Sequence, residues 1–535
     1  MTKEGPPIEL DVILKQLGAF GKFNIINYGL MLIPIFLAGM YGSVFVFEAT
    51  DINYRCKIKE CEGLNNSEWL VNAIPVKNDE LAKCSRYSLK DNASSDESCN
   101  ADAFDRTNQL KCDELVYSDE DSAVRDFNLG CQDWKRTLIG TVRNSGLFIS
   151  LPLTGIISDR FGRKRALVMA ALMSGIFGLA RSFSVSYVMM LILEFFESAL
   201  GGGINSTSFV LAVELVAPKG RVLGTTVLNL ISTLGMMSLP AFSWWFQDWR
   251  KLLRIIYTPA ILVFSYLWLL NESVRWLLSK GRNVEAAEIL LKAAKMNNVD
   301  ISEELNPLYK LEVKSDTQEV KKEEIDDDKA KVSTFKQVIR SRVIRTRVCM
   351  CSFLWITCTF VYYGLSINSV SLGGNKYMNF MLVSFMDIPG SILCLIVLDR
   401  FGRKKILSIF YIMSACLCIC QSFVPEDPKW LSLALYLSGK LCIVVAYSSL
   451  YIYVSEVFPT SVRQSLLATC SSLGRVGSTL APLTPLLALY SNNLPAILFG
   501  TLALVASGMV LILPETINMP LPDTIEAAEQ LATRS

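Results

Sequence analysis

The stretch Asp159-Arg160-Phe161-Gly162-Arg163-Lys164 decides the fold of this chain, because it returns unchanged as Asp399-Arg400-Phe401-Gly402-Arg403-Lys404, 240 residues later. Further charged residues repeat at almost the same offset, which predicts an internal duplication into two halves that run in the same direction. The glycine in each copy permits a tight turn between two helices. The other repeated charges are Glu214 and Arg221 with Glu456 and Arg463, and Glu272 with Glu515.

The duplicated motifs lie between long apolar stretches. The 535 residues are 51% hydrophobic with a mean hydropathy of +0.36, and apolar blocks of about 20 residues can cross roughly 30 Å of hydrocarbon. Such segments must be helical or belong to a closed barrel, and their sustained apolarity favours helices. We therefore predict an all-α membrane protein with twelve spans in two pseudo-symmetric six-helix halves. The spans are expected at about 24–47, 136–157, 166–182, 186–212, 223–245, 253–270, 347–368, 377–398, 405–423, 430–454, 465–489 and 494–513.

Charge bias predicts the orientation. Lys and Arg gather after spans two and eight and before span seven, which indicates that these loops and both termini are cytosolic in a plasma-membrane protein. The predicted divisions are a cytosolic amphipathic N-terminus 1–23, a first transmembrane helix 24–47, an extracellular cysteine-rich glycosylated loop 48–135, the rest of the N-terminal half 136–270, an intracellular linker with helices 271–346, the C-terminal half 347–513 and a cytosolic tail 514–535.

The segment 48–135 has the composition of an external domain. Six of the 15 cysteines fall there, which predicts up to three disulfides without deciding among the possible pairings, and free thiols remain the alternative. Asn65 and Asn92 begin glycosylation sequons. The candidate disulfide cysteines are Cys56, Cys61, Cys84, Cys99, Cys112 and Cys131.

The repeated acids and arginines predict a cytosolic gate. Orientation alone needs only Lys and Arg, so the acids favour charged networks over pure topology determinants. One exposed ion pair is worth about 0–1 kcal/mol, so several charges must act together to favour the outward-open state. The predicted gate residues are Asp159, Arg163, Glu214, Arg221 and Glu272 in the first half, and Asp399, Arg403, Glu456, Arg463 and Glu515 in the second.

Several classes of function are disfavoured. Histidine does not occur, which removes Ser-His-Asp and Cys-His catalysis and the commonest metal ligand, so we expect no enzyme activity, no metal and no cofactor. A net charge of +2 gives no nucleic-acid footprint. An ATP-driven pump would need a phosphate-binding G-x-x-x-x-G-K-[ST] loop, which the sequence lacks. A channel or receptor would not need duplicated gate motifs.

The chain resembles the organic cation, anion and zwitterion transporters of the major facilitator superfamily over nearly its whole length. The resemblance rests on the start at Asp11-Val-Ile-Leu-Lys-Gln-Leu-Gly, the cysteine-rich loop, Asn271-Glu-Ser-Val-Arg-Trp-Leu and Ser455-Glu-Val-Phe-Pro-Thr-Ser-Val-Arg, besides the duplicated motif. The sequences of spans four and seven are most similar to those of insect members. A sugar carrier of the same superfamily would normally lack the external loop.

Two departures from the family pattern concern charge. Leu395 stands where a glycine normally precedes the second motif, which weakens that motif. Span four carries Glu194 and Glu197 instead of the usual arginine, and acids in a membrane need partners or water. Burial against an arginine and a role in proton or cation coupling are both open.

The resemblance implies a substrate pocket near the middle of the membrane. Aromatic side chains in spans seven and ten would surround an ammonium group and attract it by about 0.5–2 kcal/mol each; packing between helices is the alternative for any one of them. Arg475 stands where anion and zwitterion carriers have arginine, and Asp387 where the family usually has an acid. The implied substrate-binding residues are Arg475, Asp387, Trp355, Tyr362, Tyr363, Tyr447, Ser448, Asn205 and Phe45.

These charges predict a small zwitterionic substrate, such as β-alanine or carnitine, with its carboxylate on Arg475 and its amine near Asp387. A permanent Arg475–Asp387 pair is the alternative. A carrier of organic cations, such as biogenic amines or amine conjugates like carcinine, and a carrier of organic anions also remain open. The implied partners are the organic ion, the lipid bilayer and a coupling ion, either Na⁺ or H⁺. We expect a monomer.

Overall fold

The computed structural model describes residues 10–18, 21–63, 69–77, 80–90, 99–216, 218–301, 340–424, 429–459, 462–491, 493–517, 519, 522 and 528–529. The predicted glycosylation sites Asn65 and Asn92 lie outside these residues, as does the side chain of Asp399.

Six long helical spans make up the first half. Proline interrupts α2, α6 and α10 without ending them, and Ser186 and Asp248 cap α8 and α11 by accepting backbone N–H bonds. The helices are α1 (Leu10–Gln16), α2 (Lys22–Tyr41), α3 (Val44–Glu48), α4 (Trp69–Ala73), α5 (Ala123–Asp126), α6 (Asp133–Phe161), α7 (Arg163–Arg181), α8 (Tyr187–Gly201), α9 (Ile204–Leu215), α10 (Pro218–Phe246), α11 (Trp249–Tyr257), α12 (Pro259–Leu262), α13 (Tyr266–Leu269), α14 (Val274–Ser279) and α15 (Asn283–Asn297).

The second half repeats this arrangement. Ser341 caps α16 and Asn375 caps α17, again with side-chain oxygens on backbone N–H groups. The helices are α16 (Arg342–Asn368), α17 (Lys376–Phe385), α18 (Asp387–Phe401), α19 (Arg403–Gln421), α20 (Lys429–Val457), α21 (Arg463–Leu480), α22 (Thr484–Ala488) and α23 (Leu494–Ile512). Short 3₁₀ turns at Val263–Ser265 and Ala481–Leu483 join helices within spans six and eleven, and a third, at Ser369–Ser371, follows α16.

The fold is that of a twelve-span membrane protein. Within the described residues, nine helical segments are long and apolar enough to cross a bilayer by themselves. The other three spans, α6, α7 and α21, are more polar and carry Arg143, Arg181 and Arg475. Polar side chains in a bundle are tolerated where protein or water surrounds them, and these three arginines all lie at the charged sites described below.

The segment between α3 and α6 is a small disulfide-bonded domain. Three antiparallel two-stranded sheets form within it, pairing β1 (Tyr54–Cys56) with β6 (Leu115–Tyr117), β2 (Val76–Lys77) with β3 (Glu80–Leu81), and β4 (Ser85–Leu89) with β5 (Phe104–Lys111). The sequence left the pairing of its cysteines open. The structure links Cys56 to Cys112, Cys61 to Cys99 and Cys84 to Cys131.

Disulfides are needed here because strands of two to eight residues bury little apolar surface. An ion pair also stabilises the domain: Arg55 Nη1 and Nη2 donate to the two carboxylate oxygens of Glu62, at 2.5 and 2.9 Å. These hydrogen bonds lower the pKa of the Glu62 carboxyl.

The two halves meet at the end of the bundle that carries this domain, which we call the loop end. Phe47 of the first half packs edge-on against Phe380 and face-on against Tyr377 of the second half. Gly140 allows α6 to approach the turn before α22 so closely that a Cβ there would lie 2.8 Å from Pro482. The opposite end carries the turns at Gly162 and Gly402, and we call it the motif end.

Candidate functional site

Five aromatic side chains of the second half form one continuous surface, the aromatic wall. Trp355 meets Tyr447 and Tyr451 edge-on, with ring centroids 5.5 and 4.9 Å apart. Tyr362 lies 5.5 Å from Tyr447 and 5.1 Å from Tyr363. Helix α16 supplies three of these rings and α20 the other two, because the two helices pack together inside the half.

One end of the aromatic wall holds a buried acid–base pair. The hydroxyl of Tyr362 donates to Asp387 Oδ2 at 2.6 Å, and Lys440 Nζ lies 3.7 Å from Asp387 Oδ1. Lys440 also donates to Ser366 Oγ at 2.8 Å and sits 3.2 Å from the centre of the Tyr362 ring. Asp387 Oδ1 accepts no hydrogen bond within the described structure. The pair is therefore neutral in sum, and the oxygen that faces Lys440 accepts no hydrogen bond within 3.5 Å.

Arg475 lies at the other end of the aromatic wall. Arg475 is half-buried, and its charged side chain lies close to Tyr363, Tyr447 and Tyr451. Among the described residues no carboxylate pairs with it. The alternative of a permanent Arg475–Asp387 pair is therefore wrong, because Lys440 takes the place of the arginine beside Asp387.

The remaining residues that the resemblance implied lie in different surroundings. Trp355 is fully buried in the aromatic wall, and Ser448 is half-buried beside it on α20. Phe45 is buried at the loop end, next to Gly140. Asn205 is exposed on α9. No described contact joins Phe45 or Asn205 to the aromatic wall.

The first motif turn holds a charged network within its own half. Arg163 donates to Asp159 Oδ1 at 2.7 Å and to Glu214 at about 3.2 Å. Glu272 Oε1 accepts the Lys164 backbone N–H at 3.0 Å, so its negative charge sits at the positive end of α7. Arg221 lies half-buried near the start of α10.

The second turn repeats this geometry. Arg403 Nε donates to Glu456 at 3.2 Å, and its backbone N–H donates to Glu515 Oε1 at 3.1 Å. Arg463 donates to the carbonyl oxygen of Phe458 at 3.3 Å. Gly162 and Gly402 have φ of +100° and +94°, a backbone conformation that other residues rarely adopt. The duplication thus extends from sequence to hydrogen bonds.

A second group of charges lies inside the first half, and we call it the buried charge cluster. It consists of Glu48 on α3, Arg143 on α6, Arg181 on α7, and Glu194 and Glu197 on α8, all at most 4% exposed at the side chain. Arg143 contacts Glu197 and lies 3.0 Å from Glu194 Oε1. Arg181 contacts Glu194 and lies 3.3 Å from Glu48 Oε1.

A cavity of about 650 Å³ opens at the loop end between the disulfide-bonded domain and both halves. Acidic residues 119–121 and Asp248 line it together with Trp249. Lys376 of the second half reaches across it to Glu120, at 3.1 Å. The residues that line this cavity are distinct from those of the aromatic wall.

Sequence reasoning found the arginine, the aspartate and four rings of the aromatic-wall site, but it missed Lys440 and Tyr451. It also missed Glu48, Arg143 and Arg181 of the buried charge cluster. The available signal was an ionisable residue in or at the edge of a predicted membrane span, which by itself indicates a functional or paired group. The described residues contain no cluster of potential metal ligands.

Comparisons with known proteins agree with this architecture. Residues 84–527 match the family model described as sugar (and other) transporter. The chain is 32% identical to the organic cation transporter protein of Drosophila melanogaster, over 98% of this chain and 95% of that protein. It is 30% identical to organic cation/carnitine transporter 2 of Mus musculus, over 97% and 93%.

Solved structures support the fold. The inward open conformation of the xylose transporter XylE from E. coli aligns with a TM-score of 0.62 and 16% identity, over 94% of this chain and 98% of that one. The partially occluded inward open conformation aligns with a TM-score of 0.60, over 92% and 98%. The chain therefore belongs to the organic cation, anion and zwitterion transporters of the major facilitator superfamily, within the sugar (and other) transporter family.

Proposed function

We propose that this protein is a plasma-membrane carrier of small organic ions, and that its substrate bears a carboxylate as well as an amine. The observation that carries this proposal is Arg475, whose half-buried guanidinium has tyrosine hydroxyls around it and no carboxylate partner among the described residues. An arginine inside a membrane protein needs a counter-charge. A substrate carboxylate supplies one, in a bidentate geometry that arginine suits.

The amine of the substrate has its own acceptors. Asp387 Oδ1 is buried and accepts no hydrogen bond in the described structure, and the faces of the aromatic wall attract a cation. Because Tyr362 touches Asp387 and Tyr363 touches Arg475, the wall connects the two charged ends. A β-amino acid such as β-alanine or a betaine such as carnitine has its charges separated by a short chain, which fits an acid and an arginine that lie beside two neighbouring rings.

Two other substrate classes have an observation in their favour. The relative from Drosophila melanogaster described above is an organic cation transporter protein, which favours biogenic amines or amine conjugates such as carcinine. The sum of Arg475 and Lys440 against Asp387 leaves one positive charge at the site, which favours an organic anion. The zwitterion accounts for the guanidinium that has no carboxylate partner among the described residues, and its amine would give Asp387 Oδ1 the hydrogen bond that Lys440, at 3.7 Å, does not make.

Alternating access follows from where the halves touch. The side-chain contacts described between them include Phe47 with Phe380 and Lys376 with Glu120 at the loop end, which supports a closed loop end with the opening at the motif end. Each motif-end network is formed within its own half here, so its formation alone does not produce the outward-open state. We propose that these residues act as gates by also pairing across the halves in that state. Residues 49–132 then face the outside, where disulfides persist, and the basic motif end and both termini face the cytosol.

Uptake by cells that express the full chain tests the substrate class. Radiolabelled carnitine, β-alanine, tetraethylammonium and an aryl carboxylate should be compared, with and without sodium. Saturable uptake of carnitine or β-alanine, with each compound inhibiting uptake of the other, supports the proposal. Robust uptake of tetraethylammonium alone, or of the aryl carboxylate alone, would replace it with the cation or the anion carrier.

A further inference from the structure

The buried charge cluster does not balance. Its members alternate in sign in the order Glu48, Arg181, Glu194, Arg143, Glu197, so each arginine lies between two acids. Arginine does not lose its proton in proteins. Three carboxylates against two guanidiniums leave one negative charge in a region that is fully shielded from water.

Neighbouring groups do not supply the missing positive charge. The other titratable side chains at the cluster are Tyr257 of α11, which accepts from Arg181 Nη2 at 3.2 Å, and Tyr41 of α2, which stacks on Tyr257 at 4.3 Å. Arg250 of α11 is the next cation, and Asp126 binds it at 2.9 Å. Tyrosine hydroxyls are neutral, Arg250 is already balanced, and Arg254 of α11 donates to the Ser182 hydroxyl at 3.3 Å and to no acid of the cluster in the described structure.

A second observation identifies the end of the cluster at which the imbalance lies. Glu48 is fully buried, and neither of its carboxyl oxygens accepts a hydrogen bond in the described structure, although Arg181 Nε is 3.3 Å away. A buried carboxylate without hydrogen bonds is strongly disfavoured, and protonation removes its charge. Glu48 is therefore the member for which a bound proton relieves the largest cost.

Helix α3 connects Glu48 to the closed loop end. Phe47, which precedes Glu48 in α3, packs against Phe380 and Tyr377 of the second half. Phe47 and Thr50, on either side of Glu48, line the 650 Å³ cavity at this end. Separation of the halves at the loop end would open the surroundings of α3 to water and allow a proton to exchange with it.

We propose that the buried charge cluster is a proton-binding site, with Glu48 as the group that takes the proton, and that occupancy of this site is required for the loop end to close. Transport then depends on pH at the loop-end face. This inference rests on the proposed transport function for its kinetic consequence, but proton binding itself does not require a substrate.

Thermal unfolding of the purified full chain between pH 5.5 and 8 tests the site without any substrate. A group whose pKa is raised by folding stabilises the native state at low pH and loses that effect as pH rises through its native pKa. The melting temperature of the wild type should fall as pH rises, and Glu48→Gln should flatten this dependence. Glu288→Gln changes an exposed glutamate on α15 and should keep the wild-type dependence.

Uptake provides the second readout. Carnitine suits it because its quaternary ammonium does not titrate, and for one required proton the rate falls by up to about tenfold per pH unit above the pKa of the site. Wild type and Glu288→Gln should show this fall with rising external pH, and Glu48→Gln should not. If Glu48→Gln is aggregated by size-exclusion chromatography, Glu197→Gln at the other end of the cluster takes its place.

The proton site would be contradicted by a wild-type melting temperature that does not change with pH. It would equally be contradicted by a variant at Glu48 or Glu197 whose melting temperature keeps the wild-type dependence on pH. Stabilisation of the wild type by sodium at constant pH would also overturn it, in favour of a metal cation. A pH-dependent melting temperature that Glu48→Gln flattens, without uptake of any tested substrate, supports the proton site and contradicts the proposed substrate class.

Discussion

The carboxylate of Asp387 lies 3.7 Å from the ammonium of Lys440, and both side chains are buried inside the second half. The charges therefore depend on each other, because removal of one leaves the other uncompensated away from water. Lys440→Met should lower the free energy of unfolding by about 3–5 kcal/mol, the usual cost of breaking a buried ion pair. Thermal unfolding in detergent measures this change.

The double variant Lys440→Met/Asp387→Leu is the control for that prediction. It removes both charges, so it should be closer to the wild type in melting temperature than Lys440→Met is. Equal melting temperatures for Lys440→Met and the wild type would show that Asp387 does not need this lysine in the native state.

Arg475→Gln should reduce the affinity for substrate more than it reduces the stability of the fold. Loss of a charge-assisted hydrogen bond costs about 1.5–3 kcal/mol, which corresponds to an increase in KM for a carboxylate-bearing substrate of roughly 10- to 150-fold. Concentration-dependent uptake of carnitine or β-alanine measures this. Arg475→Lys keeps the charge but loses the bidentate geometry, so its KM should lie between those of the wild type and Arg475→Gln.

Arg106→Gln provides a matched control, because Arg106 is exposed on β5 and far from the aromatic wall in the fold. Its KM should equal that of the wild type. An improved uptake of plain cations by Arg475→Asp, with no loss of any carboxylate substrate in Arg475→Gln, would contradict the role given to this arginine.

The sequence predicts the fold of this protein more completely than it predicts the contacts at the candidate site. The twelve spans and the two halves follow from apolar block length and from the repeated Gly162 and Gly402 motifs, which are local signals. The pair of Asp387 and Lys440 is not local, because the two residues lie on different helices and meet only when α18 packs against α20. A single sequence names charged residues in the membrane but does not say which of them touch.

The disulfide pairing is another non-local property. Peptide mapping without reduction should recover Cys56–Cys112, Cys61–Cys99 and Cys84–Cys131, and recovery of any other pairing would contradict the structure of this domain. Paired replacement Cys61→Ala/Cys99→Ala should lower stability by about 2–5 kcal/mol. Protease sensitivity of residues 49–132 in intact cells measures this loss, with Cys416→Ala as a control because Cys416 is an exposed free thiol.

Among the described glycines with positive φ, Gly162 and Gly402 are the two at which an added Cβ would also meet other atoms within 4 Å. Both have positive φ with ψ near 160°, a region that is essentially restricted to glycine and costs other residues about 1–3 kcal/mol. A Cβ at Gly402 would also lie 2.8 Å from Glu515 Oε2. That glutamate accepts backbone N–H groups of α19, so Gly402→Ala should destabilise the fold and displace this contact.

Gly508→Ala separates the backbone effect from a general effect of added bulk. Gly508 lies within α23 with nothing within 4 Å of its would-be Cβ, so alanine there should leave stability unchanged or raise it by up to about 1 kcal/mol. The melting temperature should therefore fall for Gly402→Ala and stay the same or rise for Gly508→Ala. If Gly402→Ala and Gly508→Ala have the same melting temperature, the turn at Gly402 does not require the glycine conformation that it shares with Gly162. The gate would then depend on its charges alone.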